Sequence, residues 1–265
     1  GGFKKFCRGE TDIQNASRPI TANEMKDCKA AGVQYVELPV AFDALTVVVH
    51  KDNPLKEISI EDLKKMWEPA AQGKVMKWSD ANPALPNAPL QLFGAGADSG
   101  TFDYFTEAVT GKSKSSRGDF TASEDDNVIV QGVSRSRNAL GFFGFAYYEE
   151  NKDKLRGLSI SWKGGKAVEP SAANVLNGTY QPLSRPIFIY VNAKSLAKPE
   201  IKAFAEYYMK QAPKLVSEVK YVPLPAKAYE YNLAALQKMR IGTKMGGENK
   251  VGLTIEQLMT LEAKE

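Results

Sequence analysis

The chain has 265 residues, of which 43% are hydrophobic and 25% are charged, with 35 basic and 31 acidic side chains. The net charge of +4 is too small for a dedicated nucleic-acid binder, and the ordinary composition excludes a wholly disordered chain. One histidine and two cysteines exclude a multi-histidine zinc site, a cysteine-rich zinc finger and a four-cysteine iron–sulfur centre within this chain. The length suits one large domain or two modest ones, and the residue census favours binding over catalysis.

The first half of the chain alternates between helix and strand patterns. Thr21 followed three residues later by Glu24 indicates a capped helix start, and short apolar runs indicate buried strands. In chain order we predict a helix over Thr21–Gly32, strands over Val33–Pro39 and Phe42–Val49, a helix over Ser59–Glu68 and a strand over Leu90–Phe93.

The second half continues this alternation. We predict a helix with Phe102, Phe105 and Val109 on one face, a helix over Ser123–Ser136, a strand leading into a helix over Leu140–Tyr148, a strand over Ile187–Val191, and amphipathic stretches at Lys198–Lys210, Ala226–Met239 and Thr254–Ala263. Repeated strand–helix alternation indicates an α/β fold with sheets covered on both faces. No run of about 20 apolar residues is present to span a membrane.

The two cysteines, Cys7 and Cys28, enclose 20 residues. A disulfide between them would stabilise the fold by roughly 3 kcal/mol in the chain-entropy model and would imply an oxidising compartment. The alternative is two free buried thiols. We favour the disulfide and an exported protein.

The segment that carries most chemical information is the strand, glycine-rich turn and helix from Leu90 to Val109. Such a turn exposes backbone N–H groups at the positive end of a helix, where an anion is favoured. Ser99 and Thr101 add hydroxyl groups on either side of Gly100, whose missing side chain lets a ligand approach the backbone. The segment matches neither a P-loop nor a nucleophile elbow. The plainer interpretation is that Asp98 or Ser99 only caps the helix.

Two further polar segments are candidates. Asp12–Pro19 ends in Ser17 and Arg18, a hydroxyl and a planar guanidinium that suit recognition of an oxyanion, although a solvated surface turn explains them equally well. Ser123–Asn127 is acidic and suits a helix cap, a cation site or the wall of a cleft. It lacks the ligand spacing of an EF-hand loop, so we interpret it as mostly structural.

Four segments together resemble the periplasmic phosphate-binding proteins of bacterial phosphate ABC importers, and most closely the cyanobacterial-type branch. They are Gly1-Gly2-Phe3, Asp12–Pro19, the turn Gly-Ala-Asp-Ser-Gly-Thr ending at Thr101, and Asn138–Tyr148. The same branch shares Cys-Arg-Gly-Glu-Thr-Asp-Ile, Asp-Ser-Gly-Thr-Phe-Asp-Tyr-Phe and Thr-Ala-Ser-Glu-Asp-Asp-Asn with this chain. The similarity extends over essentially all 265 residues.

The resemblance implies a two-lobed periplasmic-binding-protein ("Venus flytrap") fold of α/β class with two hinge crossings. Carried over to this chain, the crossings fall near Ala44–Val49 and Ile187–Val191. One lobe then comprises residues 1–46 and 188–265, and the other residues 47–187. Family members have a strand, a ligand-contacting loop and a helix ahead of the position of Gly1, so we expect that the first lobe is incomplete at its N-terminus here.

The resemblance also implies a binding site for inorganic phosphate, with Ser99, Gly100 and Thr101 as ligands in the second lobe. Better-known members have an arginine where this chain has Ala95, and an aspartate where it has Arg18. The charges therefore look exchanged between the lobes, with Ser17 and Arg18 as donors and Asp98 as an acceptor. A carboxylate acceptor rejects sulfate, which carries no proton near neutral pH. Asp98, Asp43 or another carboxylate could have that role.

We therefore expect a receptor that captures phosphate in an interlobe cleft, outside the cytoplasmic membrane in the periplasm or cell envelope, and delivers it to the permease of an ABC importer. We expect a monomer that is not an enzyme and that binds no metal, organic cofactor or nucleic acid. The alternatives are a receptor for another oxyanion, an adhesion or matrix protein that keeps the fold without the ligand, and a phosphatase with Ser99 as nucleophile.

Overall fold

The structure is a computed structural model that describes residues 2–247, 255–261 and 263. The chain divides into two compact units. Unit 1 comprises Gly1–Asp43, Leu176–Gly178 and Arg185–Glu265, and unit 2 comprises Ala44–Val175 and Thr179–Ser184. The lobe boundaries expected from the resemblance, at 46/47 and 187/188, stay a prediction.

Strands and helices alternate along the chain, which confirms the predicted α/β class. The strands are β1 (Ile13–Ala16), β2 (Tyr35–His50), β3 (Glu57–Ser59), β4 (Gln91–Ala95), β5 (Thr121–Ser123), β6 (Ala139–Gly144), β7 (Leu155–Gly157), β8 (Ser159–Ser161), β9 (Ser184–Asn192) and β10 (Val222–Pro223). The helices are α1 (Gly2–Phe6), α2 (Ala22–Ala30), α3 (Ile60–Trp67), α4 (Trp78–Ala81), α5 (Gly100–Thr110), α6 (Asp126–Ser134), α7 (Phe145–Glu150), α8 (Ala172–Leu176), α9 (Pro199–Glu218), α10 (Ala226–Gln237) and α11 (Ile255–Thr260).

The sheet of unit 1 is antiparallel. Strand β1 pairs with β9 in the register Ile13↔Val191 to Ala16↔Phe188, and β10 pairs with β2 through Val222↔Phe42. A cluster of rings packs beside these strands, where Tyr190 lies 5.0 Å from Phe3 between ring centroids. Because Tyr190 is fully buried, this aromatic cluster is part of the unit 1 core.

A disulfide between Cys7 and Cys28 joins the segment after α1 to helix α2, with a Cα–Cα distance of 4.2 Å. Both cysteines are buried. The predicted disulfide is therefore confirmed. It closes a loop that contains β1 and the turn that follows it.

The sheet of unit 2 is mixed. Strands β5, β4 and β6 lie side by side and parallel, in the registers Ala95↔Ser123 and Leu92↔Leu140, whereas β2 runs antiparallel to β6 and β7. Helices α5, α6 and α7 follow the three parallel strands. The carboxyl ends of β5, β4 and β6 therefore meet at one edge, where three helices begin.

Strand β6 shows why helices cover both faces of this sheet. Its side chains alternate between the faces. Phe142 stacks on Phe105 of α5 at 3.7 Å between ring centroids, whereas Phe143 packs with Ile129 and Val133 of α6. The two adjacent phenylalanines therefore anchor helices on opposite faces.

Most of the predicted elements are present, with shifted ends. Helix α2 begins after Thr21, and Thr21 and Glu24 form the expected capping box. The two strands predicted over Val33–Pro39 and Phe42–Val49 form the single strand β2. The helix predicted over Ser123–Ser136 begins only at Asp126, because Ser123 belongs to β5. Two residues of the stretch predicted over Thr254–Ala263, namely 254 and 262, lie outside the described residues.

Candidate functional site

The carboxyl edge of the parallel strands in unit 2 holds the turn that the sequence analysis selected. In open α/β sheets this edge is the usual place for a ligand. Strand β4 ends at Ala95, helix α5 begins at Gly100, and residues 96–99 form the connection. The connection is anchored at both ends, since the Gly96 amide donates to the Ser123 carbonyl at 3.1 Å and the Ser99 amide donates to the Gly96 carbonyl at 3.0 Å.

Ser99 is the N-cap residue of α5. It has extended backbone angles, and its Oγ accepts a hydrogen bond from the Thr101 amide at 3.1 Å. The capping role considered at the sequence level is therefore present. It does not exclude ligand binding, because a helix has several amides in its first turn without intrahelical acceptors and one cap satisfies only one of them.

Gly100 occupies the first helical position, and its backbone faces open space. A Cβ placed on Gly100 would meet no atom within 4 Å, so packing does not require a glycine there. The same test at Gly94 in β4 meets the Phe142 ring at 2.4 Å, where packing does exclude a side chain. An open backbone at the positive end of an 11-residue helix suits the close approach of an anion.

Asp98 and Thr101 complete the predicted set in unit 2. Asp98 is exposed in the connection, and Thr101 is partly buried in the first turn of α5. Two hydroxyls, one carboxylate and the first-turn amides therefore lie within four consecutive residues. This arrangement offers several donors and one acceptor to a small tetrahedral oxyanion.

The segment Ser123–Asn127 lies beside this turn. This proximity was not predicted from the sequence. Asp125 is the N-cap residue of α6 and accepts from the Asn127 amide at 2.9 Å, as the structural interpretation expected. However, a Cβ on Gly96 would lie 1.9 Å from Oε1 of Glu124, so Glu124 contacts the connection directly. The parallel register of β4 and β5 produces this contact, and no signal in the sequence encodes that register.

Asp126, in the first turn of α6, has an unusual electrostatic environment. Burial and the neighbouring charges of Asp125 and Glu124 raise the pKa of Asp126 to about 6. A carboxyl group with a raised pKa beside a candidate ligand site is a typical feature of functional regions. Asp126 therefore belongs to an acidic cluster with Asp125 and Glu124, of which Glu124 contacts the connection.

In unit 1, Ser17 and Arg18 lie in the exposed turn after β1. The Arg18 guanidinium forms two hydrogen bonds with Glu24, from Nη1 and Nη2, both at 2.8 Å. It also lies 5.3 Å from the centroid of the Phe3 ring. Arg18 was predicted from the sequence as a cation for the ligand, but its pairing with Glu24 was not predicted.

Glu24 itself is held in the ionised form. Partial burial opposes ionisation, but the hydrogen bonds from Arg18 and from the Thr21 amide and hydroxyl lower the pKa of Glu24 to about 2. The carboxylate therefore caps α2 and orients Arg18 at the same time. An anion that binds Arg18 meets a guanidinium that is already held in place.

Asp43, the other carboxylate considered for discrimination of sulfate, pairs with Arg185. Their closest atoms, Oδ2 and Nη2, are 3.2 Å apart, and both side chains are mostly buried in unit 1. Burial raises the pKa of Asp43, while the Arg185 charge acts in the opposite direction. The structure thus gives Asp43 a partner of its own within unit 1.

Within residues 2–247, 255–261 and 263, no three His, Cys, Asp or Glu side chains are grouped so as to hold a metal ion. In the same part of the chain, no helix combines the length and the apolar character needed to cross a bilayer.

Residues 1–212 match the sequence profile of the PBP superfamily domain, which is most of the chain. The chain belongs to the PBP superfamily. The α/β fold expected from the resemblance is confirmed by this membership and by the similarity to a solved structure. That structure, a possible phosphate binding protein from Planctomyces limnophilus, has a TM-score of 0.84 and 46% sequence identity, and the match covers 90% of this chain and 84% of that one.

Two curated relatives place the chain more closely within the PBP superfamily. Protein SphX of the cyanobacterium Synechococcus elongatus is 52% identical over 262 residues, covering 99% of this chain and 77% of the relative. The phosphate-binding protein PstS of Staphylococcus saprophyticus is 37% identical over 233 residues, covering 86% and 70%. The predicted resemblance to phosphate-binding proteins, and to their cyanobacterial-type branch, is therefore confirmed.

Proposed function

We propose that this protein is a receptor for inorganic phosphate. The observation that carries the proposal is the open N-terminus of α5 at Ser99, Gly100 and Thr101, at the carboxyl edge of the parallel strands, in a chain whose relatives include a phosphate-binding protein. The first-turn amides and the hydroxyls of Ser99 and Thr101 donate to the phosphate oxygens. Charge-assisted hydrogen bonds of this kind are about twice as strong as neutral ones.

Ser17 and Arg18 of unit 1 are the remaining donors in the proposal, and Asp98 is the acceptor. Arg18 supplies a planar guanidinium that matches two oxyanion oxygens. Asp98 accepts a hydrogen bond from the proton that phosphate retains near neutral pH, and its negative charge disfavours sulfate, which has no such proton. The closure of two lobes on the anion, at the boundaries expected from the resemblance, belongs to the same proposal.

The biological role follows from this chemistry. The receptor takes up phosphate in the periplasm or cell envelope and delivers it, as a monomer, to the membrane permease of an ABC importer. The disulfide supports an oxidising compartment, whereas the permease rests on the family resemblance alone. Binding and release in this proposal change no covalent bond, so the proposed receptor is not an enzyme, and the proposal includes no metal or organic cofactor.

A phosphatase with Ser99 as nucleophile is the less favoured alternative. A serine nucleophile needs an adjacent base within hydrogen-bond distance. The Oγ of Ser99 instead accepts the Thr101 amide as a helix cap. Hydrolysis of a chromogenic phosphate ester that is lost in Ser99→Ala would establish the phosphatase and contradict the receptor.

The test is calorimetric titration of phosphate and sulfate into protein stripped of bound ligand, comparing Arg18→Ala with Arg8→Ala. Arg8 is a matched control, because it is an exposed arginine of unit 1 that pairs with Glu10 at 2.7 Å. Because the proposal buries the Arg18 guanidinium against the bound anion, we expect Arg18→Ala to weaken phosphate binding by about 2–5 kcal/mol, and Arg8→Ala to leave it unchanged.

Equal affinities of the two variants would remove Arg18 from the site. Asp98→Asn is expected to narrow the preference for phosphate over sulfate. Tighter binding of sulfate than of phosphate by the unmodified protein would favour the receptor for another oxyanion. No binding of either anion by the folded protein would favour the adhesion or matrix protein.

A further inference from the structure

A buried carboxylate in unit 1 has no role in the proposed site. Glu37 lies on β2 and is only 6% exposed. Its Oε2 accepts hydrogen bonds from the hydroxyls of Tyr190, at 2.8 Å, and Thr243, and its Oε1 accepts the Lys244 amide at 2.9 Å. An isolated buried carboxylate is costly, so burial raises the pKa of Glu37, and the hydrogen bonds from its three donors act in the opposite direction. Glu37 is therefore the centre of a polar network in the buried core of unit 1.

Tyr190 connects this network to the turn that carries Arg18. While its hydroxyl donates to Glu37, it accepts the amide of Ile20 at 2.9 Å. Ile20 is two residues after Arg18 and ends the same turn. The Tyr190 ring also packs on the Phe3 ring, over which the Arg18 guanidinium lies. Tyr190 thus contacts the turn through a hydrogen bond and supports it through an aromatic ring.

On the other side, the network includes the C-terminal segment. Thr243 and Lys244 lie beyond residue 212, where the match to the PBP superfamily domain ends. The Lys244 ammonium donates to the carbonyls of Leu258, at 3.2 Å, and Met259, at 3.1 Å, in α11. A cation at a helix C-terminus is favoured by the helix dipole. Glu37 therefore joins the C-terminal segment to the Tyr190 hydroxyl.

We propose that Tyr190 and Glu37 are positioning residues for the phosphate site, holding the Ser17–Arg18 turn in its binding geometry with the support of the C-terminal segment at Thr243. This inference rests on the proposed function. Fully satisfied buried networks rigidify the groups around them. A preorganised guanidinium loses less conformational freedom on binding an anion, so the network increases phosphate affinity without contacting phosphate.

The test is a double-mutant cycle between Tyr190→Phe and Arg18→Ala, with the phosphate dissociation constant measured by calorimetry. Tyr190→Phe removes only the hydroxyl and keeps the ring contacts. We expect it to weaken phosphate binding about tenfold in the unmodified protein and to have no further effect in the Arg18→Ala variant, because residues that act through one another are not additive. An effect on phosphate affinity that does not act through Arg18 would instead give the same factor in both backgrounds.

Tyr229→Phe is the matched control. The Tyr229 hydroxyl also bridges two backbone groups in unit 1, accepting the Leu224 amide at 3.0 Å and donating to the Val40 carbonyl at 2.8 Å. Both phenylalanine variants are expected to lose stability in urea, but only Tyr190→Phe is expected to lose phosphate affinity. Thr243→Val is expected to weaken binding several-fold, whereas Thr260→Val, on the exposed side of α11, is not.

The outcomes separate the two proposals. One outcome is that the unmodified protein binds phosphate, and that Tyr190→Phe and Thr243→Val bind it as tightly as their control variants do. The positioning role is then wrong, and the receptor function is still supported. If Tyr190→Phe costs the same factor with and without Arg18, the network does not act through Arg18, and the inference is also wrong. If the unmodified protein binds no phosphate, both proposals are wrong.

Discussion

Removal of the Cys7–Cys28 disulfide is a perturbation whose size can be worked out from the structure. The bond links residues 21 positions apart, and both sulfurs are buried. In the chain-entropy model, a closed loop of about 20 residues lowers the entropy of the unfolded chain by about 11 cal/mol/K, which is about 3 kcal/mol at 25 °C. The double variant Cys7→Ala, Cys28→Ala should therefore be about 3 kcal/mol less stable than the oxidised protein.

Urea unfolding of phosphate-free protein measures this loss. All three tryptophans lie in unit 2, namely Trp67, Trp78 and Trp162. Tryptophan fluorescence therefore reports on unit 2 and does not directly observe unit 1, which holds the disulfide. Far-UV circular dichroism observes both units and is the appropriate probe. With a urea slope of about 3 kcal/mol/M, the midpoint should move down by about 1 M.

Reduction of the unmodified protein should reproduce the shift, and the same reductant should leave the double variant unchanged. A loss below about 1 kcal/mol would refute the loop-entropy reasoning, because the unfolded chain would then retain structure between the two cysteines. Phosphate affinity of the folded, reduced protein is expected to change by less than about twofold, since β1 stays paired with β9 and Arg18 stays paired with Glu24.

Three further predictions concern charge and packing. Glu24→Gln should lower the free energy of unfolding by about 1 kcal/mol at pH 7, a figure reduced for exposure. Because the folded-state pKa of Glu24 is lowered to about 2, the difference in urea stability should vanish as the pH falls from 4.5 towards 2. A loss of stability that is independent of pH would contradict this. Asp126→Asn should stabilise the protein by about 1 kcal/mol at pH 8, because the raised pKa of about 6 makes the ionised carboxylate unfavourable in the fold. This gain in stability should disappear below pH 4. A loss of stability at pH 8 would show that the charge of Asp126 is needed. Gly94→Ala should lower the free energy of unfolding by about 1–3 kcal/mol, because its methyl group would overlap the Phe142 ring. Gly100→Ala should instead keep the stability and weaken phosphate binding. The reverse pattern would contradict the open face assigned to α5.

The sequence predicted best those elements whose signal is local. The capping box of α2 uses residues three positions apart, and the apolar face of α3 repeats every three or four residues. Strand β2 was predicted as two strands because Pro39 interrupts the apolar run. Pairing with β10 on one part and with β6 and β7 on another makes it a single strand of 16 residues.

Elements that depend on tertiary packing were predicted less well. Helix α9 was expected to end near Lys210, but it continues through Pro213 to Glu218. Its buried face, Ala205, Met209, Ala212 and Val216, keeps the helical repeat past the proline, so burial outweighs the lost hydrogen bond. Strands β3 and β8 have three residues each, which is too short for a periodic pattern.

The candidate site shows the same division. Ser99, Gly100 and Thr101 are consecutive, so the sequence alone was enough to select them. The contact between Gly96 and Glu124 depends on the parallel register of β4 and β5, which no local pattern encodes. The Glu37 network joins residues up to 207 positions apart, and only the folded chain brings them together.

The most direct test of the account is calorimetric titration of phosphate, and separately of sulfate, into the protein after it has been unfolded and refolded to remove bound ligand. The receptor assignment predicts binding of phosphate in the micromolar range or tighter, with no heat from sulfate, and weaker binding of phosphate in Arg18→Ala. No binding of phosphate by the folded protein, or equal affinity for phosphate and sulfate, would contradict the assignment.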